Sequence, residues 1–367
     1  MRILLVSSYV LPHVGGVEQF VETIRRMLEL RGAGVRVLAC RRPGEDSSAD
    51  ALVATRFVGS KGWPLPTGDL ATLWREIGRA DAVVANNALH VLSDLAVLLA
   101  RRRGVPALLV VHGSGAPRAY ESSRRLGARR GFERTLPRLA LGRSLPVSVS
   151  ATGVEGIRRN HGLEAAYLPY PLPELPPAAR PRLDAGEALR VAWIGRLYPE
   201  KDPLLAVRAV EQLRARRAAT LDVYGDGVLQ DELAALARER PWLRLHGNRP
   251  WGEVLALQAR AHVCLSTSAW DNVQVAVLEA LSRGVPVVST RVGDAPRYYR
   301  ADGLERFCVA PGDAGALADA LDELASSASR WGPQFAVNGE RLRAIHAEAP
   351  TILEELIAAA GRGRPIR

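Results

Sequence analysis

The sequence predicts an α/β protein made of two doubly wound domains facing a cleft. Three observations carry this expectation. Short apolar runs alternate with amphipathic segments in both halves of the chain. A proline-rich stretch separates the halves. A length of 367 residues is too great for one comfortable core and suits two.

In the first half, "RILLVSS" opens the chain as a strand. A helix is expected over 17–31, where Val17, Phe20, Val21, Ile24 and Leu28 share one face and Glu18, Glu22, Arg25 and Glu29 lie elsewhere. Then come "VRVLAC", a helix near 68–79, "DAVVAN", a helix near 91–103, "ALLVVHG" and "LPVSVS". Short apolar strands between such helices point to a parallel sheet covered on both faces. Residues 168–188, "LPYPLPELPPAARPRLDAGEA", hold six prolines and read as an interdomain linker. After it the plan restarts: "LRVAWIG", helix 203–216, "ATLDVYG", helix 228–239, "LRLHG", helix 251–260, "HVCLSTS", helix 273–283 and "PVVST". The expected domains are 1–167 and 189–334. Residues 335–361 read as helical, and "GRGRPIR" as a frayed tail. Open α/β sheets bind ligands outside the carboxyl ends of their strands, so the loops after the strands are where chemistry is sought.

The formal charge is +10, which admits nucleic acid, an anionic membrane face or a phosphate-bearing substrate. The chain is rich in Ala and Arg and has two lysines, Lys61 and Lys201. No apolar run approaches the roughly 18–20 residues of a membrane span, and the opening residues lack the pattern of a signal peptide. Cys40, Cys264 and Cys308 are scattered, with no metal-ligand spacing and no disulfide framework. A cytoplasmic protein is expected.

Gly15 and Gly16 follow the first strand and precede a helix. Glycine tolerates positive φ and close approach to backbone, and a helix N-terminus offers free N–H groups to an anion; a simple tight turn is the alternative. In "WIGRLYPEKDP", Arg196 and Lys201 lie just past a strand end, where a guanidinium and an ammonium suit a diphosphate; a solvated loop is the alternative. "YGDGV" shapes a strand-to-helix turn. "LHGNRPW", residues 245–251 with Asn248, is a similar loop whose backbone could meet a base edge. Asp271 and Glu279 are eight residues apart, about 12 Å along one continuous helix. Paired glycosidase carboxylates sit roughly 5–9.5 Å apart, so these two read as separate contacts with an elongated ligand; a helix cap at Asp271 and a solvated Glu279 are the alternatives. His112 ends a strand beside glycine and lines either the core or the cleft.

Taken in order, these pieces resemble retaining glycosyltransferases of the GT-B fold, family 4. The resemblance rests on G-G-V-E near the start, G-R-L…E-K after the linker, Y-G-D-G, and the block D-N…L-E-A…G-x-P-V-V, and it spans nearly the whole chain. It implies two Rossmann-like domains closing on a nucleotide-diphosphate sugar, with acceptor bound by the N-terminal one. It further implies that Gly15 and Gly16 abut the diphosphate and acceptor, that Arg196 and Lys201 clamp the diphosphate, and that Glu279 accepts from the ribose. Asp271 with Asn272, Val273 and Gln274 would contact the donor sugar, His112 would lie beside the transferred sugar, and the loop with Asn248 would face the base. The final helix, from 335 on, would cross back to the first domain. Two departures are visible. Asp271 stands where the family usually has Glu, and the family's Asn-Gly pair before the linker is replaced by "LPYPLP".

The expected activity is therefore transfer of a hexose from a UDP- or GDP-linked donor to a hydroxyl on a small molecule, a glycan or a lipid-linked acceptor. No Asp-x-Asp metal motif stands out, and the two cations could replace a metal ion, so no cofactor and no metal are expected. The stretch 118–143 carries eight arginines against two glutamates and is either a solvated face or a patch for the anionic inner face of a membrane. A nucleotide-sugar epimerase or hydrolase of the same architecture is the rival enzyme. A nucleic-acid-binding protein is the rival outside enzymes; aromatics are not interleaved with its basic runs, and no nucleic-acid partner is expected.

Overall fold

The apolar runs of the first half become the strands of one parallel sheet. In chain order the elements are β1 (Arg2–Ser7), α1 (Gly16–Leu30), β2 (Gly34–Cys40), β3 (Ala51–Val53), β4 (Thr55–Val58), β5 (Trp63–Pro66), α2 (Leu70–Arg79), β6 (Ala82–Asn86), α3 (Val91–Arg102), β7 (Ala107–Val111), α4 (Leu136–Leu141), β8 (Leu145–Ser148), α5 (Ala151–His161) and β9 (Ala166–Tyr167). This computed structural model describes residues 1–11, 15–42, 47–58, 63–113, 135–175, 177–178, 181–184, 186–301 and 303–362. The sheet runs β3-β2-β1-β6-β7-β8-β9, and its pairs are parallel. Strands β1, β6 and β7 are apolar on both faces because helices cover both. The order reverses between β1 and β6, which sets Ser7 beside Asn86 at the carboxyl end. The antiparallel ribbon β4–β5 was not expected. Two of its four pairs involve Pro66 and Pro64, which lack an N–H and hid the strand.

The second half repeats the plan: β10 (Leu189–Ile194), α6 (Pro203–Arg214), β11 (Ala219–Tyr224), α7 (Gln230–Glu239), β12 (Leu243–Leu245), α8 (Trp251–Arg260), β13 (Val263–Ser266), α9 (Val275–Ser282), β14 (Val287–Thr290), α10 (Ala295–Tyr298), β15 (Cys308–Val309), α11 (Ala314–Ser326) and α12 (Ala328–Ala347), followed by α13 (Ala349–Gly361). Its sheet is also parallel, in the order β12-β11-β10-β13-β14-β15. Here the order reverses between β10 and β13, the topological switch point at which open sheets bind ligands. Trp193 is the largest side chain sealed in this core, and its indole N–H donates to Thr267 Oγ1 at 2.9 Å.

The chain divides into Met1–Pro173 with His346–Arg367, and Glu174–Ile345. Two expected boundaries shift. The start of the proline-rich stretch belongs to the first unit: Leu168, Tyr170 and Leu172 are buried, and Leu168 N–H bonds Ser148 O at 2.9 Å. The segment from 335 does not leave the second unit at once. Phe335 is fully buried near Phe307, and Asn338 Nδ2 donates to Tyr298 O at 2.8 Å. Gly339 lets α12 approach closely, since a Cβ there would stand 2.7 Å from Leu281 O. It is α13 that packs on β7 and α1, where Glu354 pairs with Arg31 at 3.1 Å. Residues 363–367 of the expected tail lie outside the described residues.

Asp94, on α3, is fully buried, and burial lifts its carboxyl to about 7, against a smaller downward pull from the Leu89 backbone. Its folded value lies above the unfolded one, so the folded state holds the extra proton between about pH 4 and 7. Stability from this group is therefore present at acid pH and lost as pH rises through that window. Asp94→Asn should remove this loss and gain a few kcal/mol over the parent at pH 8, since each tenfold difference in proton affinity between folded and unfolded chain is worth about 1.4 kcal/mol. Urea unfolding at pH 4 and pH 8 measures it; equal gains at both pH values would show that Asp94 is not the group responsible.

Candidate functional site

Two loops meet at the switch point of the second unit. The loop after β10 carries Gly195, Arg196 and Lys201; the loop after β13 carries Thr267 to Gln274. They are stitched together by backbone. Ala269 N–H donates to Glu200 O at 3.0 Å, and Thr267 Oγ1 lies 2.7 Å from Asp202 O and 3.1 Å from Lys201 O. Across this seam Lys201 Nζ donates to Asp271 Oδ2, with side chains 21% and 15% exposed. The other Asp271 oxygen accepts from Asn272 N–H at 3.0 Å. Asp271 is thus neither on the helix nor its cap: α9 starts at Val275 with Gln274 before it. The backbone of Asp271 and Asn272 is backed by Gly293, whose φ is 55° and whose Cβ, if present, would stand 2.3 Å from Asn272 O. Only glycine serves there.

The remaining expected residues divide. Gln274 is buried and spends its side chain locally, donating to Thr290 O at 3.1 Å and accepting from Ser266 Oγ at 2.5 Å. Val273 lies between Asn272 and Gln274 and is half-buried. Arg196 is 66% exposed and lies 3.8 Å from Glu200 on the same loop. Asn248 is exposed on the loop before α8, which touches the glycine turn through Gly225 N–H to Gly247 O at 2.8 Å. Gly225 and Gly227 have φ of 134° and 151°, and a Cβ at Gly225 would stand 1.9 Å from Gly195 O. The Y-G-D-G turn therefore supports the 195–202 loop from beneath.

Glu279 projects from α9 and is 4% exposed. Trp251 Nε1–H donates to its Oε1 at 2.8 Å. Burial raises the carboxyl to about 7; the Trp251 hydrogen bond and then the Arg283 charge pull it back. Arg283 is itself buried and donates to Leu255 O at 2.6 Å. Nothing in the spacing of the sequence paired Trp251 with Glu279. Its place at the end of the 245–251 loop was the one hint.

In the first unit, Gly15 is extended, with φ of 177°, so it is not needed for a positive φ. A Cβ there would stand 2.5 Å from Oε2 of Glu18, the far end of a side chain that can move aside. Glu18, expected off the apolar face, is buried in the first turn of α1, where a carboxylate suits the helix N-terminus. Gly16 begins α1, and its carbonyl accepts from the buried Tyr170 hydroxyl at 2.6 Å. Phe20 of α1 meets the His112 ring edge-on at 4.8 Å. Thus Gly15, Gly16 and His112 belong to one neighbourhood. His112 Nε2 lies 2.7 Å from Asn86 Oδ1, and burial, with a further push from His90, lowers the imidazole to about 3. Ser7, Asn86 and Tyr170 were not singled out from sequence; "AN" at a strand end and a tyrosine among prolines were the available signals.

With this geometry in view, the comparisons are specific. Residues 14–168 match the family described as Glycosyltransferase Family 4, and residues 188–327 match Glycosyl transferases group 1. The chain belongs to the family 4/group 1 glycosyltransferases. Glycogen synthase of Mycobacterium tuberculosis is 32% identical over 165 residues, 44% of this chain and 37% of that protein. Sulfoquinovosyl transferase SQD2 of Arabidopsis thaliana is 29% identical over 185 residues, 48% of this chain and 34% of that protein. The matched stretches thus span little more than a third of these curated relatives. Among solved structures, the Anabaena HepE complex with UDP and glucose superposes with a TM-score of 0.71 at 16% identity, covering 98% of this chain and 100% of that one. Sucrose-phosphate synthase from Thermosynechococcus elongatus gives 0.72 at 18% identity, covering 98% and 99%. These likenesses establish the GT-B fold, which the resemblance implied and whose two doubly wound domains the alternating pattern predicted.

The Trp251–Glu279 contact has a measurable consequence for this family 4 chain. Trp251→Phe keeps the ring and deletes the N–H, so the Glu279 carboxyl should titrate above its present value of about 7. Infrared difference spectra against Glu279→Gln follow that carboxyl. A midpoint that stays in place or falls would show that the indole N–H does not hold it.

Proposed function

We propose that the chain is a retaining glycosyltransferase that moves a hexose from a nucleoside-diphosphate sugar to a hydroxyl acceptor, without a metal ion. The observation that carries this reading is the Lys201–Asp271 pair at the carboxyl end of β10 and β13, in a chain with one other lysine. The family supports transfer chemistry, and the HepE complexes with UDP and with UDP-glucose support the donor class for that protein. In this reading Lys201 and Arg196 take the diphosphate, Asp271 and the Asn272–Gln274 backbone take the sugar hydroxyls, and Glu279 takes the ribose. The Asn248 loop meets the base. The first unit supplies Gly15, Gly16 and His112 and binds the acceptor.

The bond that breaks is between the anomeric carbon and a phosphate oxygen. Its electron pair goes to the diphosphate, and the sugar becomes oxocarbenium-like. Fixed positive charge aimed at that oxygen supplies most of the acceleration in such a site. Retention follows from attack on the same face, with the leaving phosphate accepting the proton of the acceptor hydroxyl. His112, neutral at ordinary pH, is not the acid. Among the described residues no helix is long and apolar enough to cross a membrane. Most of the basic stretch 118–143 lies outside them, and peripheral membrane association is kept as part of the proposal only through its charge.

Lys201→Ala should lower kcat by about 10²–10³-fold, equivalent to roughly 2.7–4 kcal/mol, as for other lost electrostatic donors. Transfer from UDP- or GDP-sugars, scored with and without acceptor, tests both the residue and the reaction class. Product formed without acceptor would favour hydrolysis or epimerisation. Turnover should persist in EDTA; loss restored by Mg²⁺ or Mn²⁺ would overturn the metal-free mechanism.

A further inference from the structure

One face of β11 in the second unit is not filled by packing. Leu221 and Val223 are buried on the other face, with Leu189, Val191 and Leu243 of the neighbouring strands. Alternation turns Thr220, Asp222 and Tyr224 the opposite way. They stand in register with Arg190, Ala192 and Ile194 of β10, and Asp222 also pairs with Arg244 of β12. Here α8 packs on β10 and leaves β11 beside it uncovered. Between them lies a cavity of about 630 Å³, lined by Arg190, Ala192, Asp222, Tyr224, Leu257 and Arg260. Small-molecule sites fall in the range of roughly 300–1,000 Å³ and set a few polar groups into apolar walls, as this one does. The cavity runs away from the Lys201–Asp271 pair: Arg190 stands at the start of β10 and Arg260 ends α8, whereas Lys201 follows the carboxyl end of β10.

Two polar groups on this wall are unspent. Tyr224 is 7% exposed, and its hydroxyl makes no hydrogen bond among the described residues, although a buried tyrosine hydroxyl usually finds a partner. Its ring is held in place, stacked on His246 at 4.5 Å and 14°. Asp222 is engaged through Oδ1 alone, 2.7 Å from His246 Nε2 and 3.9 Å from Arg244 Nη1, which leaves Oδ2 as an acceptor. The charge around these groups is unbalanced. Burial and then Asp222 raise the Tyr224 pKa, while Arg249, Arg244 and Arg260 pull it back, so the hydroxyl keeps its proton at ordinary pH. Arg190 pairs with Glu187 and Arg244 with Asp222, whereas Arg249 and Arg260 have no carboxylate at ion-pair distance among the described residues. Two positive charges therefore remain, and a phosphate monoester carries about −1.5 to −2 at pH 7.

We propose that this cavity binds a small hydroxylated phosphate monoester: Tyr224 and Arg260 donate to the phosphate, Asp222 Oδ2 accepts from a hydroxyl, and Ala192 and Leu257 carry the carbon frame. A carboxylate ligand would leave one guanidinium uncompensated. Bare phosphate would leave Asp222 Oδ2 and the apolar floor unused. The site stands apart from the function proposed above, because none of its groups belongs to the donor-binding loops after β10 and β13.

Isothermal titration of the full chain with glycerol 3-phosphate and with ribose 5-phosphate tests the site, and glycerol and inorganic phosphate serve as separate halves of the ligand. At least one monoester should bind, about tenfold more tightly than inorganic phosphate or better, since each lost polar contact to a charged group costs that much. Glycerol should give no heat of binding. Tyr224→Phe keeps the stacked ring and deletes the hydroxyl, and Arg260→Ala changes an exposed side chain; each should weaken the monoester about tenfold or more. Lys201→Ala should leave its affinity unchanged. Loss of binding in Lys201→Ala would place the monoester at the carboxyl ends of the strands and overturn the proposal. So would silence from both monoesters, inorganic phosphate bound as tightly as they are, or full affinity in both Tyr224→Phe and Arg260→Ala.

Discussion

Everything in the second unit's site depends on one constraint: parallel strands end together, and the strand order reverses between β10 and β13. Adjacent strands whose connections leave in opposite directions open a crevice at their carboxyl ends. The loops after β10 and β13 are drawn along its two sides. Their backbones must then pair with each other, because no strand continues to satisfy them. Ala269 and Trp270 N–H do this against the Glu200 carbonyl, at 3.0 and 3.3 Å, and the Thr267 hydroxyl, held from the core by the Trp193 indole, places its one proton between the carbonyls of Lys201 and Asp202. The Lys201–Asp271 contact is the consequence of that seam.

Close backbone approach is the second half of the same argument. The Y-G-D-G turn and Gly293 each lie against a functional loop at distances no Cβ would allow. They set the height of these loops, and so convert the geometry of a sheet edge into a fixed position for a lysine and an aspartate. In the first unit the glycine pair works differently. Glu18 lies buried in the first turn beside Gly15, so the helix N-terminus has a carboxylate folded against it. An anion approaching those amides meets Glu18 first.

The alternation of strands and helices was legible because parallel strands covered on both faces write themselves as plain apolar runs. The ribbon β4–β5 was not, because prolines at 64 and 66 argue against a strand unless it lies at an edge. Lys201 and Asp271 were legible as residue types after strand ends, 70 positions apart, but their ion pair was not: contact across a switch point depends on strand order, which local pattern does not encode. Glu279 was legible as a carboxylate that could meet a ligand, with a solvated residue as the alternative; its burial was not, because its partner Trp251 sits on another helix. Glu18 was read as lying off the apolar face of its helix, and its burial was not legible because helical periodicity sorts residues by polarity alone. Asn86 was passed over because one asparagine at a strand end is ordinary until the neighbouring strands supply Ser7 and His112.

The charges of the resting site bear on the proposed chemistry. Lys201 is held by Asp271, and an ion pair of modest exposure is a ready but partly cancelled cation. A diphosphate carries more negative charge than one carboxylate and offers more oxygens, so it competes for Nζ on favourable terms. Its arrival would free an Asp271 oxygen at the moment a hydroxyl-bearing sugar arrives on the same ligand. The other Asp271 oxygen stays fixed by Asn272 N–H, so the freed one keeps its direction. In the proposed chemistry one ion pair would then hold both halves of donor recognition, a cation for the diphosphate and an acceptor for the sugar.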